Sequence, residues 1–227
     1  MSATSDAIPA PDIRAGDEWV YRITTDRTSA FHEETAAIVV DGVTPSAVQL
    51  AIRQPGSDKP PLRMLMGRDW SRFRAVNGAD TVVARPLDFP LSVGRRWTTR
   101  YTELNPNAEH ASEEWRTNWS VDGWETVETP AGTFRAMKIV GEGSWTAVVN
   151  GGAVGVAAVN RGAGLASSSS RIVPQSTASG RLYRVFWYAP EVKRWVKSEE
   201  DTYSSTAERS EQVIATLQSY KMTQAHN

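Results

Sequence analysis

Bulky apolar side chains in this chain recur at every second position, and that period decides its fold class. In Trp19-Val20-Tyr21-Arg22-Ile23 the large apolar groups fall on odd positions. Val48, Leu50 and Ile52 alternate with Gln49, Ala51 and Arg53, and Leu62, Met64 and Met66 repeat the pattern. Trp97, Thr99 and Tyr101 oppose Thr98, Arg100 and Thr102; Trp115, Thr117, Trp119 and Val121 oppose Arg116, Asn118, Ser120 and Asp122. Successive side chains of a strand point to opposite faces, so this alternation marks half-buried antiparallel strands. Helical spacing is scarce. The expected fold is all-β: a single curved antiparallel sheet, a half-barrel or barrel-like meander, carrying a Gly/Ala/Ser-rich inserted arm.

The breaks between the alternating runs agree. Gly16-Asp17, Asp41-Gly42, Asn77-Gly78, Asp122-Gly123 and Pro130-Ala131-Gly132 read as turns between strands. Pro130-Ala131-Gly132 combines a restricted φ with a permissive residue, which should close a hairpin that brings Val127 near Phe134. Ala189-Pro190-Glu191 has the same part between Phe186-Trp187-Tyr188 and Trp195-Val196. Residues 205–222 fit two patterns: Ser205 with Glu208 resembles a capping box, whereas Val213, Ala215 and Leu217 alternate as a strand. The all-β context favours a closing strand.

From Val148 to Gly180 the residues are almost all Gly, Ala, Ser and Val, with Arg161 and Arg171 the only charges. Asn150-Gly151 lies in a hairpin signal between Val148 and Val154, and 162–180 reads as a flexible loop. The expected organisation is therefore a tether over 1–14, one β domain over 15–222 interrupted by the arm 148–180, and a frayed tail over 223–227. The arm is an insertion between strands or a projection that docks on a protein partner or a second copy. Val149, Asn150, Gly151, Val154 and Val156 would make that contact. Its polar interruptions leave no transmembrane segment.

Composition removes several function classes. Lys and Arg number 25 against 26 Asp and Glu, a net charge of −1, so no basic footprint for nucleic acid exists. The run Arg68-Asp69-Trp70-Ser71-Arg72-Phe73-Arg74 interleaves arginine with aromatics and reads as the wet face of a strand. With no cysteine, disulfides, thiolate metal sites and cysteine nucleophiles are excluded. G-x-S-x-G, phosphate-loop and dinucleotide patterns are missing, so no cofactor is implied. His32 with Glu33 and Glu34, and Glu109-His110 with Glu113 and Glu114, read as solvated charged segments, and no metal site is expected. No catalytic residue is assigned. A hydrolase acting on carbohydrate through Glu103 and Glu125 is the third-ranked reading.

The aromatic inventory is the positive signal. Nine Trp outnumber six Tyr and five Phe, and an indole serves a core or a ligand platform equally well. Trp97, Tyr101, Trp115, Trp119 and Trp187 are the candidate ring lining of a groove, with Arg100 and Arg116 as polar contacts, supplemented by Asn118 or Arg184. Such a surface suits a lipid or another amphipathic small molecule.

Three stretches carry a family resemblance: Ala15-Gly16-Asp17-Glu18-Trp19-Val20-Tyr21; Thr126-Val127-Glu128-Thr129-Pro130-Ala131-Gly132-Thr133-Phe134-Arg135-Ala136-Met137-Lys138-Ile139; and Phe186-Trp187-Tyr188-Ala189-Pro190-Glu191-Val192-Lys193-Arg194-Trp195-Val196-Lys197. The chain resembles a group of bacterial exported proteins and lipoproteins with a GD-W-Y opening, a V-x-T-P-A-G-T-F hairpin and a W-Y-A-P-x-V strand pair. Lys193-Arg194 stand where that group has a glycine in the turn. The resemblance implies a curved sheet akin to the half-barrels of lipoprotein-carrier proteins, and a periplasmic or outer-envelope location for a mature exported domain. Met1–Asp6 show neither a charged n-region nor an apolar h-region, which leaves a cytoplasmic location as the alternative. The function expected is non-catalytic binding of an apolar or amphipathic ligand on an aromatic-lined concave face; a structural or assembly subunit docking through the arm is the alternative.

Overall fold

The computed structural model describes residues 7–150, 153–155, 170–172 and 176–224. The strands are β1 (Glu18–Arg27), β2 (Ala30–Val43), β3 (Ala47–Arg53), β4 (Leu62–Gly67), β5 (Arg72–Val76), β6 (Ala79–Ala84), β7 (Arg96–Leu104), β8 (His110–Thr129), β9 (Gly132–Val149), β10 (Ala153–Gly155), β11 (Ser170–Ile172), β12 (Thr177–Ala189), β13 (Arg194–Tyr203) and β14 (Arg209–Lys221). Among the described residues the one helical element is a 3-10 turn at Pro190–Val192, and no helix is long and apolar enough to cross a membrane.

Twelve strands form one antiparallel sheet in the order β6-β5-β4-β3-β2-β1-β14-β13-β12-β9-β8-β7. It curls until β6 meets β7, an almost closed barrel with a single seam. Residues 209–221 form a strand that pairs with both β1 and β13, so the tail joins the two halves of the sheet. No backbone ladder joins β6 to β7. Side chains do it instead: Asn77 donates through Nδ2 to the Thr102 carbonyl (2.8 Å) and accepts from the Leu104 N–H (2.8 Å). Arg74 pairs with Glu103 across the same line, and Trp97 Nε1 donates to the Arg85 carbonyl (2.8 Å).

The inner wall carries the predicted apolar faces. Trp19, Tyr21, Val48, Leu50, Trp119 and Val121 are buried, while Arg22, Arg116 and Asp122 face out. Room for the large rings comes from glycine. At Gly141 a Cβ would stand 2.5 Å from the Trp119 ring, so the indole lies flat against bare backbone.

One end is closed by packed aromatics and the segments around them. Ile13, Leu87 and Leu91 are buried there, and Phe89 meets Tyr188 edge-on at 5.4 Å. Ile8 and Leu91 exchange backbone hydrogen bonds of 2.8 Å. The described part of the expected N-terminal tether, 7–14, is thus docked: Ile8 and Ile13 find apolar partners that a purely local reading could not supply.

Three turn expectations change. Asn77-Gly78 and Pro130–Gly132 do turn the chain, and Val127 pairs with Phe134. Asp41-Gly42 and Asp122-Gly123, however, lie inside β2 and β8 at register shifts. A bulge bends a strand instead of ending it, and of the two glycines only Gly123, at φ +156°, takes a conformation that favours glycine. In the arm, β9 continues past Val148 by pairing with β12, and Ala153–Gly155 pairs with Ser170–Ile172 in a separate two-stranded ribbon. The hairpin expected from Val148 to Val154 is replaced by this wider pairing.

Candidate functional site

The closed end is built from the first and third motif stretches. Gly16 has φ +87°, a left-handed conformation, and it places the fully buried Asp17 carboxylate among three partners. These are the Arg14 N–H (3.0 Å), the Thr223 N–H (2.8 Å) and the Lys193 ammonium (2.8 Å). Trp19 Nε1 donates to the Val192 carbonyl (2.8 Å), and the Tyr21 hydroxyl donates to the Trp195 carbonyl. Lys193 itself has φ +60°. The ion pair to Asp17 and a Trp70 Nε1 bond to the Lys193 carbonyl (2.8 Å) hold this left-handed conformation.

Trp70 enters this end from the β4–β5 turn, not from a strand, and is fully buried edge-on to Trp19 at 5.4 Å. Arg194 lies among the rings, 4.2 Å from the Trp195 centroid and 4.5 Å from that of Trp70. Only 5% of Arg194 is exposed, and its Nε and Nη1 have no hydrogen-bond partner among the described residues. Burial holds its guanidinium below the usual arginine range, and the neighbouring Tyr21 phenol works in the opposite direction. The same burial pushes the Tyr21 hydroxyl well above the ordinary tyrosine value.

Above Arg194 a chamber of about 260 Å³ is walled by Ile52, Met64, Met66, Trp119, Phe186 and Trp195. Its far side carries Arg72 and the pair Arg184–Glu200, whose Nε–Oε2 distance is 3.1 Å. A second chamber of about 170 Å³ shares Arg72, Ala84 and Arg184 with the first and continues along Thr99, Tyr101, Trp115 and Thr117. Tyr101 stacks on Trp115 at 6.2 Å, and Arg74 lies over the Tyr101 ring at 5.5 Å. The lumen is thus apolar and aromatic near Arg194 and increasingly polar away from it. Another recess, of about 410 Å³, is walled by Arg181, Tyr183 and Tyr203; it contains no buried, unpartnered polar atom among the described residues.

The predicted site residues divide between the two faces. Tyr101, Trp115 and Trp119 line the chambers, and Trp97 stacks behind Trp119 at 6.2 Å. Trp187 lines neither: its indole donates to Glu125 (2.8 Å) beneath the Lys197 ammonium, 5.0 Å from the ring. Arg100 and Arg116 stand on the outer wall opposite each other, and Arg100 is engaged with Glu114 at 2.9 Å. Strand alternation puts them there, since their neighbours Tyr101 and Trp115 point inward. Asn118 shares that outer side and accepts from Thr98. The arginines that border the chambers are Arg72, Arg74, Arg184 and Arg194; Arg72 and Arg74 are exposed, as a wet strand face requires, and that face opens on the chambers. Arg194, Trp195, Phe186 and Met66 were missed; a charge set between Val192 and Trp195-Val196 was the available signal for a buried cation.

The carboxylates proposed for glycoside hydrolysis are far apart. Glu103 pairs in register with Glu113, and Glu125 lies twelve positions further along β8, roughly 40 Å of strand. Carboxylate pairs for that reaction stand about 5–10 Å apart, so Glu103 and Glu125 do not form one. His110 Nδ1 meets Glu113 at 2.7 Å; among the described residues no three His, Asp or Glu side chains gather as a metal site. Of the partner-contact residues, Val149 ends β9 with its N–H bonded to the Ser176 carbonyl, and the Asn150 N–H bonds the Glu109 carbonyl. Val154 is in β10, and Gly151 and Val156 lie outside the described residues.

No protein-family model matches the chain, and no curated protein does. Among solved structures, it is similar to a protein described as a lipoprotein from Parabacteroides distasonis (15% identity, TM-score 0.44), with 95% of this chain and 100% of that chain covered. An exported protein of Bacteroides fragilis described as having a YmcC-like fold matches at 18% identity and TM-score 0.38, over 95% and 99% of the two chains. The hypothetical lipoprotein YmcC of Escherichia coli matches at 12% identity and TM-score 0.34, over 92% and 86%.

Proposed function

We propose that this chain is a non-catalytic domain of the bacterial cell envelope that holds an apolar or amphipathic ligand inside its barrel. The observation that carries the reading is the pair of adjoining chambers walled by Met64, Met66, Trp119, Phe186, Tyr101 and Trp115. Together they reach the range of roughly 300–1,000 Å³ usual for small-molecule sites, apolar beside Arg194 and polar around Arg72, Arg74, Thr99, Thr117 and Arg184. The envelope assignment rests on the GD-W-Y, PAGTF and W-Y-A-P stretches quoted above. A fluorescent apolar probe such as N-phenyl-1-naphthylamine tests the binding. The full chain should take up one equivalent, and Ala84→Leu, which adds bulk where the chambers meet, should weaken uptake about tenfold while circular dichroism is unchanged. No uptake by the native chain, or uptake indifferent to Ala84→Leu, overturns the reading.

One observation favours assembly as a second reading. The β10–β11 ribbon is hydrogen-bonded apart from the twelve-stranded sheet, a form suited to pairing with another chain. Native mass spectrometry of the full chain and of a variant lacking 151–175 decides it. An oligomer lost on deletion supports docking through the arm, and a monomer in both removes self-association.

A further inference from the structure

Arg194 presents an accounting problem. A buried guanidinium keeps its charge and its N–H donors, and a buried charged donor left without an acceptor costs more than a neutral one. Trp70 and Trp195 attract the cation through their ring faces, but such contacts supply no acceptor for N–H groups. Nε and Nη1 remain without one among the described residues. The acids nearby are committed elsewhere: Glu200, in the wall of the same chamber, pairs with Arg184 at 3.1 Å, and Asp17 pairs with Lys193 at 2.8 Å. Of the three arginines that border the chamber, Arg184 pairs with Glu200 and Arg72 is exposed to solvent, so among the described residues the buried cation without a counter-charge is Arg194; beside it stand Met64, Met66, Ile52 and Phe186, which offer no oxygen acceptor from their side chains.

We propose that Arg194 anchors a small carboxylic acid with an apolar body, its carboxylate against the guanidinium and its hydrocarbon along Met64, Met66 and Phe186. This rests on the reading of the lumen as a ligand site and adds the charge and polarity of the guest. One negative charge balances Arg194, the buried member of the set. A carboxylate supplies acceptors for the unpartnered nitrogens in a charge-assisted bond, the stronger kind. Burial also weakens the cation's hold on its proton, a penalty that an anion at this position offsets.

Octanoate and octan-1-ol, equal in chain length and different in charge, separate the two levels of the claim. In calorimetric titrations of the full chain at pH 7, octanoate should bind one to one, at least about tenfold tighter than octan-1-ol, as a charge-assisted contact requires. Arg194→Met should bring the two ligands to within about threefold of each other, with octan-1-ol still bound. If octan-1-ol binds and octanoate binds no tighter, the anchor is overturned while the apolar lumen stands. If neither binds, both readings fall. The comparison in the unsubstituted chain decides the matter even where Arg194→Met does not fold.

Discussion

The Lys193 ammonium stands 2.8 Å from Asp17 Oδ2, joining two residues 176 positions apart at the closed end of the barrel. The same carboxylate takes the N–H groups of Arg14 and Thr223, so one buried acid ties the start of β1, the β12–β13 turn and the end of β14. Removing the cation strands a charge that water does not reach. Lys193→Met should lower the unfolding free energy by about 3 kcal/mol, read from urea denaturation. Lys193→Gly loses the same pair but relieves the φ of +60°, and should be less damaging by about 1 kcal/mol. Equal losses in the two variants would show that the turn stores no strain.

Trp119 needs the bare backbone of Gly141. A methyl there would lie 2.5 Å from the indole, so Gly141→Ala should destabilise by about 1–3 kcal/mol through overpacking and shift the tryptophan emission. Gly42→Ala, whose added carbon meets nothing closer than 3.7 Å, is the control and should be close to neutral.

The seam should respond to acid. Arg74 holds the Glu103 carboxyl below its ordinary range through their hydrogen bond, so the pair's contribution is complete above the unfolded carboxylate pKa, about 4.3. It is lost as pH falls through the lower folded value. Hydrogen exchange of β6 and β7 amides should therefore quicken, relative to β1, below about pH 4. Glu103→Gln should show the faster seam exchange already at pH 7 and no further acid step. Asn77→Ala should quicken it at every pH.

Phe134 and Tyr220 meet edge-on at 5.9 Å where the β8–β9 hairpin reaches β14. Phe134→Ala should cost about 3 kcal/mol as a buried aromatic truncation. A double-mutant cycle with Tyr220→Ala should return a coupling of about 1 kcal/mol. Additive losses would mean that the rings are neighbours without being partners.

Much of the wall was legible because period-two alternation is a local property. Trp19 and Tyr21, Trp115 and Trp119, and Val48 and Leu50 all face inward as their spacing requires. The same rule, applied fully, already assigned Arg116 to the face opposite Trp115. What the order of residues did not disclose depends on distant partners. Asp41-Gly42 and Asp122-Gly123 bulge because a paired strand continues beside them. Trp70 is internal because the β4–β5 turn folds over Trp19 and Trp195. Arg194 sits next to the turn motif in the sequence, yet its isolation from any acid emerges only once Asp17 and Glu200 are seen engaged by Lys193 and Arg184. The motif stretches likewise turn out to be the fastening of one end of the molecule, with the chambers above them.

A ring of staves hooped all the way round by main-chain bonds has a fixed girth. Here the hoop is clasped by side chains, Asn77, Arg74 and Trp97 among them, and side-chain clasps stretch or let go without unravelling any ladder. A barrel pulled apart is expected to part first along that one line.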